Sequence, residues 1–257
     1  MVFTIDYAGK VVLVVGAGTG IGAAIARSFN AAGADLAMSY HGSKEGAEAV
    51  AQDVEAAGHR CLLRAVDSRS VSELESLVDE TARVLGAIDV LVYNAGLTDP
   101  QPLFDLTEEQ WARTLDINLK GMFFCARRAA AAMRDQQRPG SIVLLSSVHS
   151  MQAHPDHAHY ASSKGGINML TRSLARQLGP LGIRVNAIAP GSIYVLKQKD
   201  QSPTPPPGLG ESFPIGRVGR PEEIADVAVY LASDRASYIT GHVLFADGGL
   251  TLPLQLD

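Results

Sequence analysis

The chain of 257 residues carries 22 Lys and Arg against 27 Asp and Glu, a formal net charge of −5, with 46% hydrophobic and 19% charged residues. This is a globular composition, long enough for one buried α/β core, and it lacks the basic field that releases counterions from a phosphate backbone, which argues against a nucleic-acid partner. The two cysteines, Cys61 and Cys125, lie in apolar or helical contexts without CxxC spacing and read as core residues in a reducing compartment, with no disulfide framework.

The opening stretch MVFTIDYAGKVVLVVG has an acid early and one lysine before a short apolar run, which fits neither a signal peptide nor a membrane span. A cytoplasmic protein with no membrane partner is expected. Apolar runs rich in β-branched residues recur in order: VVLVV at 11–15, DLAMSY at 35–40, CLLRAV at 61–66, IDVLVY at 88–93, SIVLLS at 141–146, IRVNAIA at 183–189 and HVLFA at 242–246. Runs apolar throughout suit strands covered on both faces, and helix-period segments between them suit right-handed parallel crossovers. The expected fold is a single α/β domain, a doubly wound Rossmann-type sheet of seven parallel strands.

VVLVVGAGTGIGAAIA runs from the first strand through Gly16, Gly18, Gly20 and Gly22 into a helix. Glycines there let the backbone turn sharply and approach a pyrophosphate, whose charge meets the free N–H groups of the helix start. Gly16, Gly18, Thr19, Gly20, Ile21 and Gly22 are therefore the expected dinucleotide cradle. The helix IGAAIARSFNAAG then ends at Gly33, and EGAEAVAQDVEAAG at Gly58.

The second strand ends at Tyr40 without the acid that grips adenosine ribose hydroxyls. His41, Ser43 and Lys44 follow, able to donate to a 2′-phosphate, so NADP is the expected cofactor with NAD possible, although no arginine stands beside the loop. LTEEQWARTLDINLKGMFFCARRAAAAM reads as one long helix, capped by Thr107 with Gln110 and weakened at Gly121.

SSVHSMQAHPDHAHYASSK at 146–164 holds four histidines, a tyrosine and a lysine. Tyr160 and Lys164, four apart, share a helical face, where an ammonium lowers the phenol's pKa from near 10 towards the range of a useful base. Ser147, at the end of the preceding strand, is placed to hydrogen-bond the same substrate oxygen. Further on, SIYVLKQKDQSPTPPPGLGESFPIG at 192–216 has five prolines and no period. At the carboxyl end of a strand such a loop is a candidate substrate lid.

Several separated motifs in one order resemble the short-chain dehydrogenase/reductase family over nearly the whole chain: the Gly16/Gly20/Gly22 loop, Asp67 after the third strand, YNAG at 93–96, Asn118, Ser147, YASSK at 160–164 and APG at 189–191. The resemblance implies Tyr160 as general acid/base, Ser147 as donor to the substrate oxygen, Lys164 as both pKa depressor and ligand of the nicotinamide ribose, and Asn118 as holder of a relay water. It further implies Asp67 and Ser68 at the adenine, Asn94, Ala95 and Gly96 along the cleft, and Pro190, Gly191 and Ile193 near the nicotinamide. A homotetramer built on the long helices and the C-terminal strand is implied too. Three positions depart from the family pattern: Val15 and Tyr93 replace a threonine and an asparagine, and Val195 stands where a threonine often holds the nicotinamide carboxamide.

SSVH, HYASSKGG and ITGHVLFADGGLTL are similar to stretches of bacterial glucose 1-dehydrogenases within that family. Ser147, His149, Gln152, His154 and Tyr160 are the expected substrate contacts, with His157 and His159 shaping the loop. No HExxH pattern is present and nicotinamide hydride transfer needs no metal, so no metal site is expected. The leading expectation is an NAD(P)-dependent sugar or polyol dehydrogenase acting on a small molecule. The alternatives are a carbonyl or 3-oxoacyl reductase and, in another class, a nonenzymatic NADP-binding sensor.

Overall fold

Runs apolar on both sides need cover on both sides, and the chain supplies it. In the computed structural model, which describes residues 4–196 and 202–252, strands β1 (Val11–Val15), β2 (Asp35–Tyr40), β3 (Cys61–Ala65), β4 (Val90–Tyr93), β5 (Gly140–Leu145), β6 (Ile183–Pro190) and β7 (Val243–Ala246) form one parallel sheet. The spatial order is β3-β2-β1-β4-β5-β6-β7. The expected runs hold their places, with ends moved by one or two residues: Ile88 and Asp89 precede β4, and Asp89 instead accepts from the Val11 N–H at 2.9 Å.

Between the strands lie α1 (Gly20–Ala31), α2 (Lys44–Ala56), α3 (Val71–Leu85), α4 (Glu108–Leu115), α5 (Gly121–Asp135), α6 (Ala158–Leu178) and α7 (Pro221–Ala232). Strand side chains alternate between two layers. On β4, Leu91 and Tyr93 join the core under α3, α5 and α6, while Val90 and Val92 join the core under α1, α2 and α7. Each large apolar side chain fully buried this way is worth roughly 1.5–3 kcal/mol. Both predicted helix stops, Gly33 and Gly58, have positive φ. Among the described residues no helix is long and apolar enough to cross a membrane.

The expected single long helix is interrupted. Thr107 and Gln110 form the reciprocal capping box of α4, but Asp116–Lys120 is a π-helical turn separating α4 from α5. Gly121 is a packing requirement as well as a weak helix former: a Cβ there would collide with the Ser68 carbonyl and come 2.9 Å from Tyr93 Oη.

Candidate active site

The chain moves outward from β1 through β3 and then returns to place β4 on the other side of β1, so the strand order reverses between β1 and β4. In an open α/β sheet the crevice at the carboxyl ends of those strands is where ligands bind. The glycine loop sits there. Gly22 has no room for a side chain, because a Cβ would run into the Gly16 carbonyl, which itself accepts from Asn94 Nδ2 at 2.7 Å. Thr19 at the N-cap of α1 makes no side-chain capping bond, leaving first-turn N–H groups directed at the crevice.

Two adjoining cavities occupy this crevice. The first, about 470 Å³, is lined by Gly16, Gly18, Thr19, Tyr40, His41 and Ser43, and on its other side by Asp67, Ser68, Asn94, Ala95 and Gly96. These are the residues expected around the adenosine half of a dinucleotide. The structure adds Arg69 and Arg113 to the same wall, which corrects the expectation that no arginine stands near the loop. Arg69 holds Asp67 through its Nε and Nη2, at 2.6 Å for the latter, and this hydrogen bonding lowers the Asp67 carboxyl to about 2. The carboxylate expected to accept from adenine therefore already has a guanidinium partner.

The second cavity, about 320 Å³, shares Asn94, Gly96 and Leu97 with the first and is lined by Ile21, Ser147, Tyr160, Lys164, Pro190, Gly191, Ile193 and Val195. Val195 lies over the glycine loop, 2.7 Å from where a Gly20 Cβ would stand. A cradle closed to side chains, free helix-start N–H groups and two linked cavities fit an extended dinucleotide. A larger cavity of about 510 Å³ opens at the amino ends of the strands beside Tyr7, Asp89 and Arg184; neither the glycine loop nor the Ser147, Tyr160 and Lys164 group lines it.

Asn118 is fully buried within the π turn. Its Oδ1 accepts from the Leu97 N–H at 2.7 Å, while Nδ2 donates to the Leu97 carbonyl and to Ser163 Oγ, both at 3.0 Å. The side chain is thus a clamp between the segment after β4 and α6. Nothing in the sequence pattern singled out Leu97 or Ser163 as its partners.

Ser147, Tyr160 and Lys164 come together as expected, with one correction to their electrostatics. Burial pushes the Tyr160 phenol up, while the neighbouring Ser147 hydroxyl pulls it down. The ammonium of Lys164 lies 5.5 Å from the Tyr160 ring centroid and donates to the Leu145 carbonyl at 2.8 Å; burial lowers it to about 8. In the protein alone, desolvation outweighs the pull of Ser147, so the phenol lies above its ordinary value and not below it.

The four histidines pack in and beside the loop before α6. His159 is buried and bonded through Nε2 to the Asp99 carbonyl at 2.9 Å, shaping the loop. His157 bonds through Nδ1 to the Pro155 carbonyl of the loop at 2.7 Å and also joins His149 and His154: its ring stacks on His149 at 5.5 Å, its Nδ1 lies 3.1 Å from that of His154, and both His149 and His157 touch the Tyr160 ring edge. His154 thus faces His157, and Gln152 Nε2 donates to the Leu250 carbonyl at 3.2 Å. Among the described residues no group of three or more His, Cys, Asp or Glu is arranged to hold a metal.

Of the expected lid at 192–216, residues 197–201 lie outside the described residues. Its base is fixed by the Ile193–Gly219 bridge, and its far end by Ile215 N–H donating to the Gly248 carbonyl at 3.1 Å. Met151, Ile215 and Leu252 are exposed apolar side chains on the three segments that these hydrogen bonds tie together.

A crevice shaped for a dinucleotide, ending where a phenol, a hydroxyl and a buried ammonium line one cavity, is the site of a nicotinamide-dependent oxidoreductase. The profile of a family described as enoyl-(acyl carrier protein) reductase matches residues 16–251. The chain is 40% identical to 3beta-hydroxysteroid dehydrogenase 1 of Eggerthella lenta over 249 residues, 96% of this chain and 95% of that one. It is 38% identical to a 3-oxoacyl-[acyl-carrier-protein] reductase of Staphylococcus aureus over 94% of this chain and 98% of the relative. The crystal structure of an acetoin dehydrogenase from Salmonella typhimurium superposes with a TM-score of 0.91 at 33% identity, covering 96% of this chain and 98% of that one. The protein belongs to the short-chain dehydrogenase/reductase family, whose members are oxidoreductases acting on CH–OH groups.

Proposed function

We propose that the protein interconverts a secondary alcohol and its carbonyl, with Tyr160 taking the hydroxyl proton in oxidation and returning it in reduction. The observation that carries this reading is the meeting of Tyr160, Ser147 and the buried Lys164 around the cavity at the end of the cleft. A nicotinamide dinucleotide, when bound, supplies the hydride acceptor or donor. Ser147 Oγ donates to the reacting oxygen, and Lys164 holds a positive charge behind the phenol that favours its ionised form. Asn118 fixes the Leu97 segment and α6 relative to one another, so that Tyr160 and the cleft floor keep their spacing. Gly16, Gly18, Thr19, Gly20, Ile21 and Gly22 would hold the pyrophosphate, and Tyr40, His41, Ser43, Asp67 and Ser68 the adenosine.

The substrate reading favours an alcohol or ketone on a mainly apolar body over a sugar. Gln152, one of the polar groups that suggested a sugar, is engaged within the protein, while Met151, Ile215 and Leu252 are exposed apolar side chains on the segments that Gln152 and Ile215 tie together. The 3-hydroxysteroid and 3-oxoacyl activities named for the relatives fit that wall. The exposed imidazole of His154 favours the sugar or polyol reading as a second one. Initial rates with both nicotinamides on 3-hydroxysteroids, 3-oxoacyl thioesters, acetoin and aldoses decide: turnover of aldoses alone overturns the apolar reading, and binding without turnover of any of them favours a sensor.

NADP is the proposed preference, supported by the absence of an acid after β2 and by Arg69 and Arg113 in the adenosine cavity. A homotetramer is proposed because Leu115, Leu119, Phe123, Phe124, Met169 and Leu170 line an apolar groove of about 450 Å³ between α4, α5 and α6, with Met169 exposed. A cytoplasmic location is proposed with it.

A further inference from the structure

Tyr93 ends β4 with its ring wholly buried and its hydroxyl reaching across to the interrupted helix. In an α-helix the Gly121 N–H would bond to the Ile117 carbonyl, four residues back. Here it bonds to Asp116, five back, and the Ile117 carbonyl is passed over. Tyr93 Oη donates to that carbonyl at 3.2 Å, replacing the donor that the π turn took away. Burial pushes the Tyr93 phenol up, so it stays protonated and remains a donor.

The same hydroxyl lies beside a further part of the site. It sits 2.9 Å from where a Gly121 Cβ would stand, a position that the carbonyl of Ser68 also crowds, and Ser68 lines the adenosine cavity. Ile117, whose carbonyl it holds, lines that cavity too, and the next residue is Asn118. An α-helical turn at this point would rotate Asn118 by the extra residue and withdraw its amide from Leu97 and Ser163.

We propose that Tyr93 is a positioning residue for the reaction: its hydroxyl stabilises the π turn that inserts Asn118 between the Leu97 segment and α6. This rests on the hydride-transfer reading for its kinetic consequence and not for its structural one. Phenylalanine keeps the ring packing and removes only the donor, so Tyr93→Phe folds and leaves the Ile117 carbonyl unpaired.

Hydrogen exchange measured on the peptide spanning 114–122 should accelerate about tenfold in Tyr93→Phe, with β5 amides unchanged, since only local opening becomes easier. With a substrate identified by the panel above, kcat should fall about tenfold while cofactor affinity stays within about twofold, and the loss should vanish on an Asn118→Ser background. Unchanged exchange at 114–122 overturns the proposal. So does a fall in kcat matched by an equal fall in cofactor affinity, or one that persists in full on the Asn118→Ser background. Accelerated exchange in a protein that turns over no substrate would uphold the structural role of Tyr93 and reject the hydride-transfer reading instead.

Discussion

Replacing Lys164 by methionine should make the protein more stable at neutral pH and abolish its activity. The Lys164 ammonium is almost wholly buried, it donates to the Leu145 carbonyl, and burial lowers it to about 8. An unfolded lysine titrates at about 10.4. Between these two values the unfolded chain holds a proton that the folded chain has lost, so this position adds stability as pH rises through that window. Below about pH 8 the folded protein carries the full cost of burying the charge, on the order of 3 kcal/mol. Methionine removes that cost and leaves the Leu145 carbonyl without its donor, a loss of about 1 kcal/mol. The variant should therefore exceed the parent by about 2 kcal/mol near pH 7 and fall below it by about 1 kcal/mol near pH 10.4. Cys61 and Cys125, which burial pushes up to about 11 and about 12, act on both proteins alike and cancel in the difference. Urea unfolding followed through Trp111 fluorescence at a series of pH values gives the comparison. A difference that does not change with pH, or a methionine variant weaker at neutral pH, would refute the reasoning.

Other consequences can be checked more briefly. Tyr160→Phe should lower kcat by roughly 100- to 10,000-fold with cofactor affinity kept, as fluorescence titration and steady-state rates would show. Ser147→Ala removes the hydroxyl that pulls the Tyr160 phenol down, so the alkaline rise in kcat/KM for alcohol oxidation should move to higher pH. Arg69→Gln uncovers the Asp67 carboxylate in the adenosine cavity and should weaken NADP binding about tenfold, with a smaller effect on NAD, in a calorimetric titration. Met169→Glu puts a charge in the apolar groove beside Phe123, and sedimentation should show a smaller species than the parent.

The strands were legible because a sheet covered on both faces demands unbroken apolar runs, and Val11–Val15 or Ile183–Pro190 carry that demand in their composition alone. The π turn was not, since moving the Gly121 hydrogen bond from Ile117 to Asp116 changes no residue type; only Gly121 hinted at a close approach. Arg69 was missed for a topological reason. The NADP argument looked only beyond β2, but β3 pairs with β2 through Tyr40 and Ala65, so residues just after β3 stand beside those just after β2. Tyr160, Ser147 and Lys164 could be placed from spacing, whereas the direction of the tyrosine's shift could not: helical periodicity reports which charge is near and says nothing of how much water is gone. The contact of His157 with His149 was likewise out of reach, because the two meet across a turn that has no period.

Every residue lining the adenosine cavity precedes Gly121, while the second cavity draws on Ile21 and the 94–98 segment and otherwise on Leu145 and beyond. Recognition of the coenzyme's distant end and recognition of the molecule being transformed are thus written in successive stretches of the gene, joined at the helix break. A recombination event at that junction between two members of the family would exchange one preference and leave the other in place, which gives such a scaffold a simple route to new pairings of coenzyme and substrate.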